Sequence, residues 1–196
     1  MYVVTGVTGR TGRIVADRLL DRGERVRVVL RDPGKAGPWR ERGAEIAVAD
    51  LADIQSTTQA LSGAEGIYLV KPPGYAYEDL FERAHATTEA VAEAIRRAGP
   101  KRIVLLSSIG AGRDHGTGVI ATNHAAEQRL SRLGIPIAFL RAAYFMENWA
   151  RMLDSATNDG VLPCLLSPVD RAIPMVATQD IGEIAANLMV KPWHGT

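Results

Sequence analysis

Val4-Thr5-Gly6-Val7-Thr8-Gly9-Arg10-Thr11-Gly12 is the stretch whose reading decides the fold. It begins inside Tyr2-Val3-Val4-Thr5, a β-branched run that reads as a strand. Beyond it, Ile14, Val15, Leu19 and Leu20 recur at helical spacing, and Gly23 suits the left-handed residue that closes a helix. Between strand and helix the glycines fall at 6, 9 and 12, a G-x-x-G-x-x-G spacing. Gly6 permits the tight turn, Gly9 lets backbone approach a phosphate with no Cβ in the way, and Gly12 lets the helix pack close on the strand. The helix then offers unpaired N–H groups and the positive end of its dipole to an anion. Such a turn can also be a bare connection. The strand before it, the helix after it and a second strand ending about 20 residues on favour a dinucleotide site instead. Its cradle is Gly6, Thr8, Gly9, Arg10, Thr11 and Gly12.

The alternation continues outward. Val26 to Leu30 reads as a second strand, and Asp32-Pro33 as the cap and first position of a helix reaching about Arg42. Glu45 to Ala49 is a third strand, Asp53 to Leu61 a helix, and Gly66 to Val70 a fourth strand. Lys71-Pro72-Pro73-Gly74 suits neither element and reads as a loop. A long alanine-rich helix over residues 78–98 stops at Gly99-Pro100. In the fifth strand, Arg102 to Leu106, four apolar residues run together, as a strand buried on both faces requires. Residues 119–133 read as helix, Ile135 to Leu140 as the sixth strand and about Glu147 to Ala156 as helix. Ala172 to Val176 is a short strand, and Asp180 to Val190 the last helix. Strands separated by helices and short turns imply an α/β fold, a Rossmann-type doubly wound parallel sheet. No repeat or linker divides the chain, so residues 1–196 are expected to form a single NAD(P)-binding domain.

Ligands of such sheets lie at the carboxyl ends of the strands, so the residues just after each strand matter most. Arg31 follows the second strand. An acid there binds the ribose hydroxyls of NAD, whereas an arginine pairs with the 2′-phosphate of NADP. Arg31 therefore favours NADP (NADPH), with Arg10 and Arg13 as helpers; a solvated Arg31, or Asp32 serving an NAD ribose, is the alternative. Asp50 can accept from the adenine amino group with Leu51 beside the ring, or simply cap its own turn. Lys71 lies where the chain passes the middle of the cofactor, within reach of a phosphate or the substrate, unless it is a solvated lysine. Ser107 and Ser108 end the fifth strand near the expected nicotinamide and can hydrogen-bond a carbonyl, or else satisfy nearby backbone. His124 is a proton donor suited to neutral pH, or a surface histidine. Glu127, one turn on, either orients His124 or pairs with an arginine. Tyr144, Phe145 and Asn148 wall the pocket, with Phe145 equally suited to plain core.

The totals bound the rest. The chain has 196 residues, 46% of them hydrophobic and 23% charged, ordinary for a globular protein able to build its own core. A net charge of +1 gives no nucleic-acid footprint. The only lysines are Lys35, Lys71, Lys101 and Lys191. No apolar stretch reaches the roughly 18 residues that span a bilayer, and because Met1 opens directly into a strand-like run no charged-then-apolar leader is expected. The single Cys164 cannot form an internal disulfide, so a cytoplasmic, reducing setting is expected, with Cys164 buried and inert in its apolar run. No His/Cys/Asp/Glu grouping has metal-ligand spacing, and no G-x-S-x-G turn suggests a hydrolase.

Together these residues carry a resemblance. The run from Val4 to Gly12, then Val28-Val29-Leu30-Arg31-Asp32-Pro33 and Ala49-Asp50-Leu51, resembles the NmrA-like family of atypical short-chain dehydrogenase/reductases. So do Tyr68-Leu69-Val70 before Pro72-Pro73, Ser107-Ser108, His124 with Glu127, Leu140-Arg141, Phe145-Met146-Glu147-Asn148 and Asp180-Ile181, so the likeness covers nearly the whole chain. The resemblance implies an NADP-preferring Rossmann domain with a small C-terminal substrate lobe. Some members resemble NADPH-dependent quinone reductases, and others are redox-sensing regulators without evident chemistry. Family members continue well beyond the Asp-Ile helix, whereas this chain stops at Trp193-His194-Gly195-Thr196. Residues 145–196 are thus expected to supply only a partial, reduced or truncated lobe. That would uncover Leu188-Met189-Val190 and Trp193 as material for a homodimer.

The tyrosine with a lysine four residues later, which lowers the phenol pKa in ordinary short-chain dehydrogenases, is missing: Tyr144 has Asn148 at that offset. Hydride transfer to a quinone does not strictly need that acid. The expected function is an NADPH-dependent oxidoreductase acting on a small quinone or carbonyl acceptor, with Ser107, His124 and Tyr144 nearest the chemistry. The alternative is a non-catalytic, dinucleotide-binding redox sensor. NADPH is expected to bind more tightly than NADH; parallel fluorescence titrations check this, and tighter NADH binding would sink the assignment to Arg31.

Overall fold

Alternating strands and helices build one parallel sheet from β1 (Tyr2–Val4), β2 (Val26–Leu30), β3 (Glu45–Val48), β4 (Gly66–Leu69), β5 (Arg102–Ser108) and β6 (Ile137–Ala142). The structure, a computed structural model, describes residues 1–71, 78–164 and 166–193. Pro72, Pro73 and His194 lie outside them. The strand order is β3-β2-β1-β4-β5-β6. The chain winds outward from β1 to β3, crosses back to β4 beside β1, and winds outward again. The order reverses between β1 and β4, which opens a crevice at their carboxyl ends.

Period-2 alternation along each strand feeds two cores. On one face Ile67, Leu69, Ile103 and Leu105 pack with Leu61 of α3 (Ile54–Leu61), Val91 and Ile95 of α4 (Leu80–Ala98) and Leu130 of α5 (Ala121–Leu130). On the other, Val4, Val28, Tyr68 and Val104 pack with Val15 and Leu19 of α1 (Arg10–Asp21) and Met189 of α7 (Thr178–Val190). α1 and α3 each follow their strand by a short turn and so begin at the carboxyl edge of the sheet.

Three segments depart from the sequence expectation. The helix after Asp32 is broken into a 3-10 turn over Pro33–Lys35 and α2 (Gly37–Glu41). Asp32 does cap it, accepting from the Gly34 N–H at 2.9 Å. Pro38, however, has no N–H to bond back to Gly34, so the first piece cannot continue into the second. The helix expected from Glu147 is a 3-10 stretch over Met146–Met152 followed by α6 (Leu153–Asp159). The strand expected over 172–176 is reduced to β8 (Met175–Val176), which pairs in parallel with β7 (Tyr144–Phe145) outside the main sheet.

Of the tail residues expected as interface material, Met189 lies in the core, while Leu188, Val190 and Trp193 are half-buried. Met189, Ala185 and Ala186 are fully buried against α1, and Trp193 donates its indole N–H to the Leu188 carbonyl at 2.7 Å. Burying Met189 is worth about 1.5–3 kcal/mol, so the core takes this side chain from the tail. Exposed apolar side chains in the stretch after α6 include Val161, Leu162 and Val169, the last 86% exposed. Cys164, in the same stretch, is half-buried rather than buried, with its sulfur accepting from the Leu166 N–H at 3.2 Å. Among the described residues no helix is long and apolar enough to cross a membrane.

α7 docks on α1 through Gly182, where an added Cβ would lie 2.4 Å from Ile14 Cγ2. Gly182→Ala is therefore expected to lower stability by about 1–3 kcal/mol through overpacking, read as a drop in the denaturant midpoint at unchanged m-value.

Candidate dinucleotide site

The crevice is closed at its base by Thr5. This buried residue directly follows β1, and its hydroxyl accepts from the Val70 N–H at 2.8 Å and donates to the Tyr68 carbonyl at 3.1 Å. Sequence reasoning passed over Thr5 as a fixed point; its signal was a hydroxyl at the last strand position before the turn. The chain then reverses at Gly6, whose φ of +67° is costly for any other residue. A Cβ at Gly6 would also meet Val70 Cβ at 3.0 Å. Gly12 comes so close to the Gly6 carbonyl that a Cβ there would be 2.4 Å from its oxygen. Thr8 and Gly9 are exposed on the rim, while Thr11 and Gly12 are buried beneath it.

Gly9 is the N-cap of α1 and provides no side-chain cap, and the first turn holds no acid. The first N–H groups of α1 therefore lack an intrahelical acceptor and point out of the helix end. Arg10 is held beside them, its Nη1 donating to Asn148 Oδ1 at 3.3 Å. Asn148 thus joins the glycine turn rather than simply walling a pocket. Its neighbour Glu147 accepts from both the N–H (2.8 Å) and the hydroxyl (2.7 Å) of Thr178, at the start of α7. Burial pushes the Glu147 carboxyl up, but the Thr178 donors, backbone N–H bonds and the charge of Arg10 outweigh it and hold it below its ordinary value. Sequence reasoning found Phe145-Met146-Glu147-Asn148 as a motif but assigned Glu147 no role.

Around the rim, Arg31 is exposed, and no carboxylate among the described residues pairs with it. Asp50 is exposed and caps its own turn, accepting from the Ala52 N–H at 3.0 Å, while Leu51 is buried in the core beneath it. Lys71 turns away from solvent and donates to the Thr122 carbonyl at 2.9 Å and to Thr88 Oγ1 at 3.4 Å, between α5 and α4. Burial lowers its pKa to about 8.

Ser107 and Arg141 are register partners on β5 and β6, and both reach Glu127 of α5. Glu127 is 4% exposed. It accepts from the Ser107 hydroxyl at 2.5 Å and from Arg141 Nε and Nη2 at 3.1 and 2.6 Å. Burial raises its carboxyl pKa, but the Arg141 and Ser107 hydrogen bonds and the charges of Arg141 and His124 overcome this and hold it low. Of the two sequence readings of Glu127, the arginine pair is the one formed. The Ser107 proton is committed to Glu127, so toward any ligand this hydroxyl presents lone pairs. His124 instead meets the Ala111 carbonyl through Nδ1 at 2.8 Å. A carbonyl only accepts, so Nδ1 carries a proton and Nε2 is the atom left for proton exchange. Ser108 is half-buried and donates to the Ile109 carbonyl at 3.1 Å. Tyr144 is half-buried, its ring edge-on to Trp149 with centroids 6.2 Å apart.

Arg141→Met strands the buried Glu127 charge and is expected to cost about 3 kcal/mol at neutral pH. Glu127 has a depressed pKa, so this stabilisation is present above its ordinary range and is lost as pH falls through the folded value. Chemical denaturation of both proteins from pH 7 down to pH 4 should find the gap closing in acid.

Comparison with known proteins agrees with this architecture. The chain is 30% identical over 195 residues to a (4-alkanoyl-5-oxo-2,5-dihydrofuran-3-yl)methyl phosphate reductase of Streptomyces griseus, covering 99% of this chain and 64% of the relative. It is 26% identical to quinone oxidoreductase 2 of Escherichia coli, covering 99% and 65%. The chain thus spans a little under two thirds of the length of these relatives. Among solved structures it superposes on an Escherichia coli NADPH-dependent quinone oxidoreductase complexed with NADPH, with a TM-score of 0.86, 24% identity and coverage of 99% and 66%. A Citrobacter triphenylmethane reductase complexed with NADP(H) gives 0.85 at 21% identity, with coverage of 98% and 66%. A family model described as NmrA-like family matches residues 2–194, and the chain belongs to that family.

Proposed function

We propose that this chain is the dinucleotide-binding part of an NADPH-dependent oxidoreductase that reduces a small quinone or carbonyl acceptor. The observation that carries the reading is the uncapped, acid-free start of α1 beside Gly6, Gly9 and Gly12, at the point where the strand order reverses. The pyrophosphate lies against the N–H groups of α1, with Thr8, Arg10 and Thr11 around it. Arg31 pairs with the 2′-phosphate. Its availability supports NADP over NAD, as does the use of Asp32 to cap Gly34. Asp50 and Leu51 border the adenine, with the carboxylate oxygen of Asp50 not used on Ala52 facing it. The names of the relatives, reductases acting on a quinone, a dye and a furan phosphate, support the same reaction class.

Bound NADPH supplies the hydride. Ser107 accepts from the nicotinamide end of the cofactor, because its own proton is given to Glu127. His124, when doubly protonated, would give its Nε2 proton to the acceptor oxygen and be left as the Nδ1–H tautomer held by Ala111, and Tyr144 would line the acceptor side with Trp149 behind it. Residues 145–196 form part of the substrate lobe on the single domain. The exposed apolar side chains at Val161, Leu162 and Val169 suit a surface covered by further protein, and a homodimer would use them rather than the tail. A cytoplasmic, reducing setting fits NADPH consumption and the lone cysteine. The second reading, a redox-sensing regulator, is favoured by the missing tyrosine–lysine pair, which leaves no phenol activated for protonating a carbonyl.

The test follows NADPH absorbance against a panel of small quinones, with Gly9→Asp as the control. The unmodified protein is expected to oxidise NADPH. The aspartate, placed where the pyrophosphate approaches, should abolish both binding and turnover. NADPH binding by the unmodified protein with no oxidation above background would replace the enzyme by the regulator.

A further inference from the structure

Asn148 brings the C-terminal part of the chain onto the glycine turn. It lies in the 3-10 segment Met146–Met152, 138 residues along the chain from Arg10, the side chain it meets. The segment is held from two directions. β7, just before it, pairs with β8, and Glu147 accepts twice from Thr178 at the start of α7. Asn148 and Arg10 are both half-buried. Arg10 Nη1 donates to Asn148 Oδ1 at 3.3 Å. A guanidinium can only donate, so the oxygen of the amide faces Arg10 and its NH2 group is left for another partner.

Few of the donors gathered here are used. A guanidinium has five N–H groups and a primary amide two. Among the described residues the bond to Asn148 is the one hydrogen bond that Arg10 side-chain donors make, and Asn148 Nδ2 makes none. The first N–H groups of α1, which Arg10 itself opens, have no side-chain cap and no acid. Donors from three sources thus meet at one place without protein acceptors, the arrangement a polyanion needs. The partner of Arg10 points the same way. Glu147 stands next to Asn148, and its Oε2 is buried without a hydrogen-bond partner. A contact made only to tie the segment to the turn would take Arg10 to that carboxylate. The neutral amide fixes the guanidinium and leaves its charge unanswered.

We propose that Asn148 is a cofactor-binding residue whose amide NH2 donates to the pyrophosphate of the dinucleotide. Glu147 is its positioning residue, through Thr178. The proposal rests on the dinucleotide reading above, and it holds whether the bound cofactor is turned over or only sensed. The sheet order says which phosphate is concerned. Arg31 and Asp50 follow β2 and β3, on one side of β1, and serve the adenine half. Asn148 follows β6, on the other side of β1. It therefore meets the phosphate nearer the nicotinamide ribose, and the C-terminal segment completes a site that the glycine turn begins.

The test is calorimetric and needs no turnover. Two probes are titrated: NADP, and adenosine 2′,5′-bisphosphate, which carries the adenine half with only the first phosphate of the bridge. Asn148→Leu, neutral and of similar size, is expected to weaken NADP about tenfold, the worth of one hydrogen bond to a charged group. It should leave the bisphosphate unchanged. In an Arg10→Leu background the same substitution should weaken NADP again, because the amide makes its own contact. Melting temperatures are read on every sample, and Asn148→Ala replaces Asn148→Leu if the latter melts below the parent. Three results would overturn the assignment of Asn148 alone: NADP affinity unchanged by its loss, equal weakening of both probes, or no further loss once Arg10 is gone. The last would make Asn148 a prop for Arg10 and nothing more. No NADP binding by the parent would instead defeat the dinucleotide reading, and Asn148 with it.

Discussion

The contact between Gly12 and the Gly6 carbonyl is the constraint on which the site depends. A single methyl at position 12 would lie 2.4 Å from that oxygen and 2.7 Å from the Thr5 carbonyl. Because nothing stands between them, α1 starts directly over the end of β1, and its free N–H groups open into the crevice beside β4. The same closeness lets Val70 cover Gly6, and lets Thr5 join β1 to β4 with both its proton and its lone pairs. α7 repeats the device one layer out, where Gly182 admits Ile14. Glycine is used at these crossings for lack of volume, and at Gly6 for its positive φ as well.

The polar groups at the carboxyl edge divide by whether their charge is answered. Glu127 is answered twice by Arg141 and once by Ser107, and Glu147 closes the start of α7 through Thr178. These carboxylates tie β5, β6, α5, α7 and the 3-10 segment after β7 into one rim. Arg31 and Lys71 are not answered. Arg31 is exposed, where leaving a charge unpaired costs little; Lys71 is withdrawn from water, where it costs more. The edge of the sheet thus carries two cations without a carboxylate partner among the described residues.

At this edge single protons are assigned by neighbouring acceptors. Ser107 cannot donate to a substrate while it donates to Glu127, and His124 is fixed by Ala111 in the tautomer that frees Nε2. Neither statement can be reached from residue type: serine both donates and accepts, and either imidazole nitrogen can carry the proton. Each follows from one neighbour that can only accept.

Much of this protein is legible in its sequence because the deciding signals are local. The glycine spacing, the β-branched runs and the helical recurrence of apolar residues set the order of elements, the parallel sheet and the glycine turn under α1, since each depends on residues within a turn or two of one another. The Asp32-Pro33 cap is local too, yet Pro38 ended that helix early by lacking a donor. What tertiary structure alone decided are the pairings across long separations. Arg10 meets Asn148, Ser107 and Arg141 share Glu127, Glu147 caps α7, and Lys71 reaches Thr88 and Thr122. It also decided that Met189 belongs to the core, because only the packed fold brings α7 onto α1. A sequence states which side chains are able to bond or to be buried; which partner satisfies each is fixed when distant segments compete for the same space.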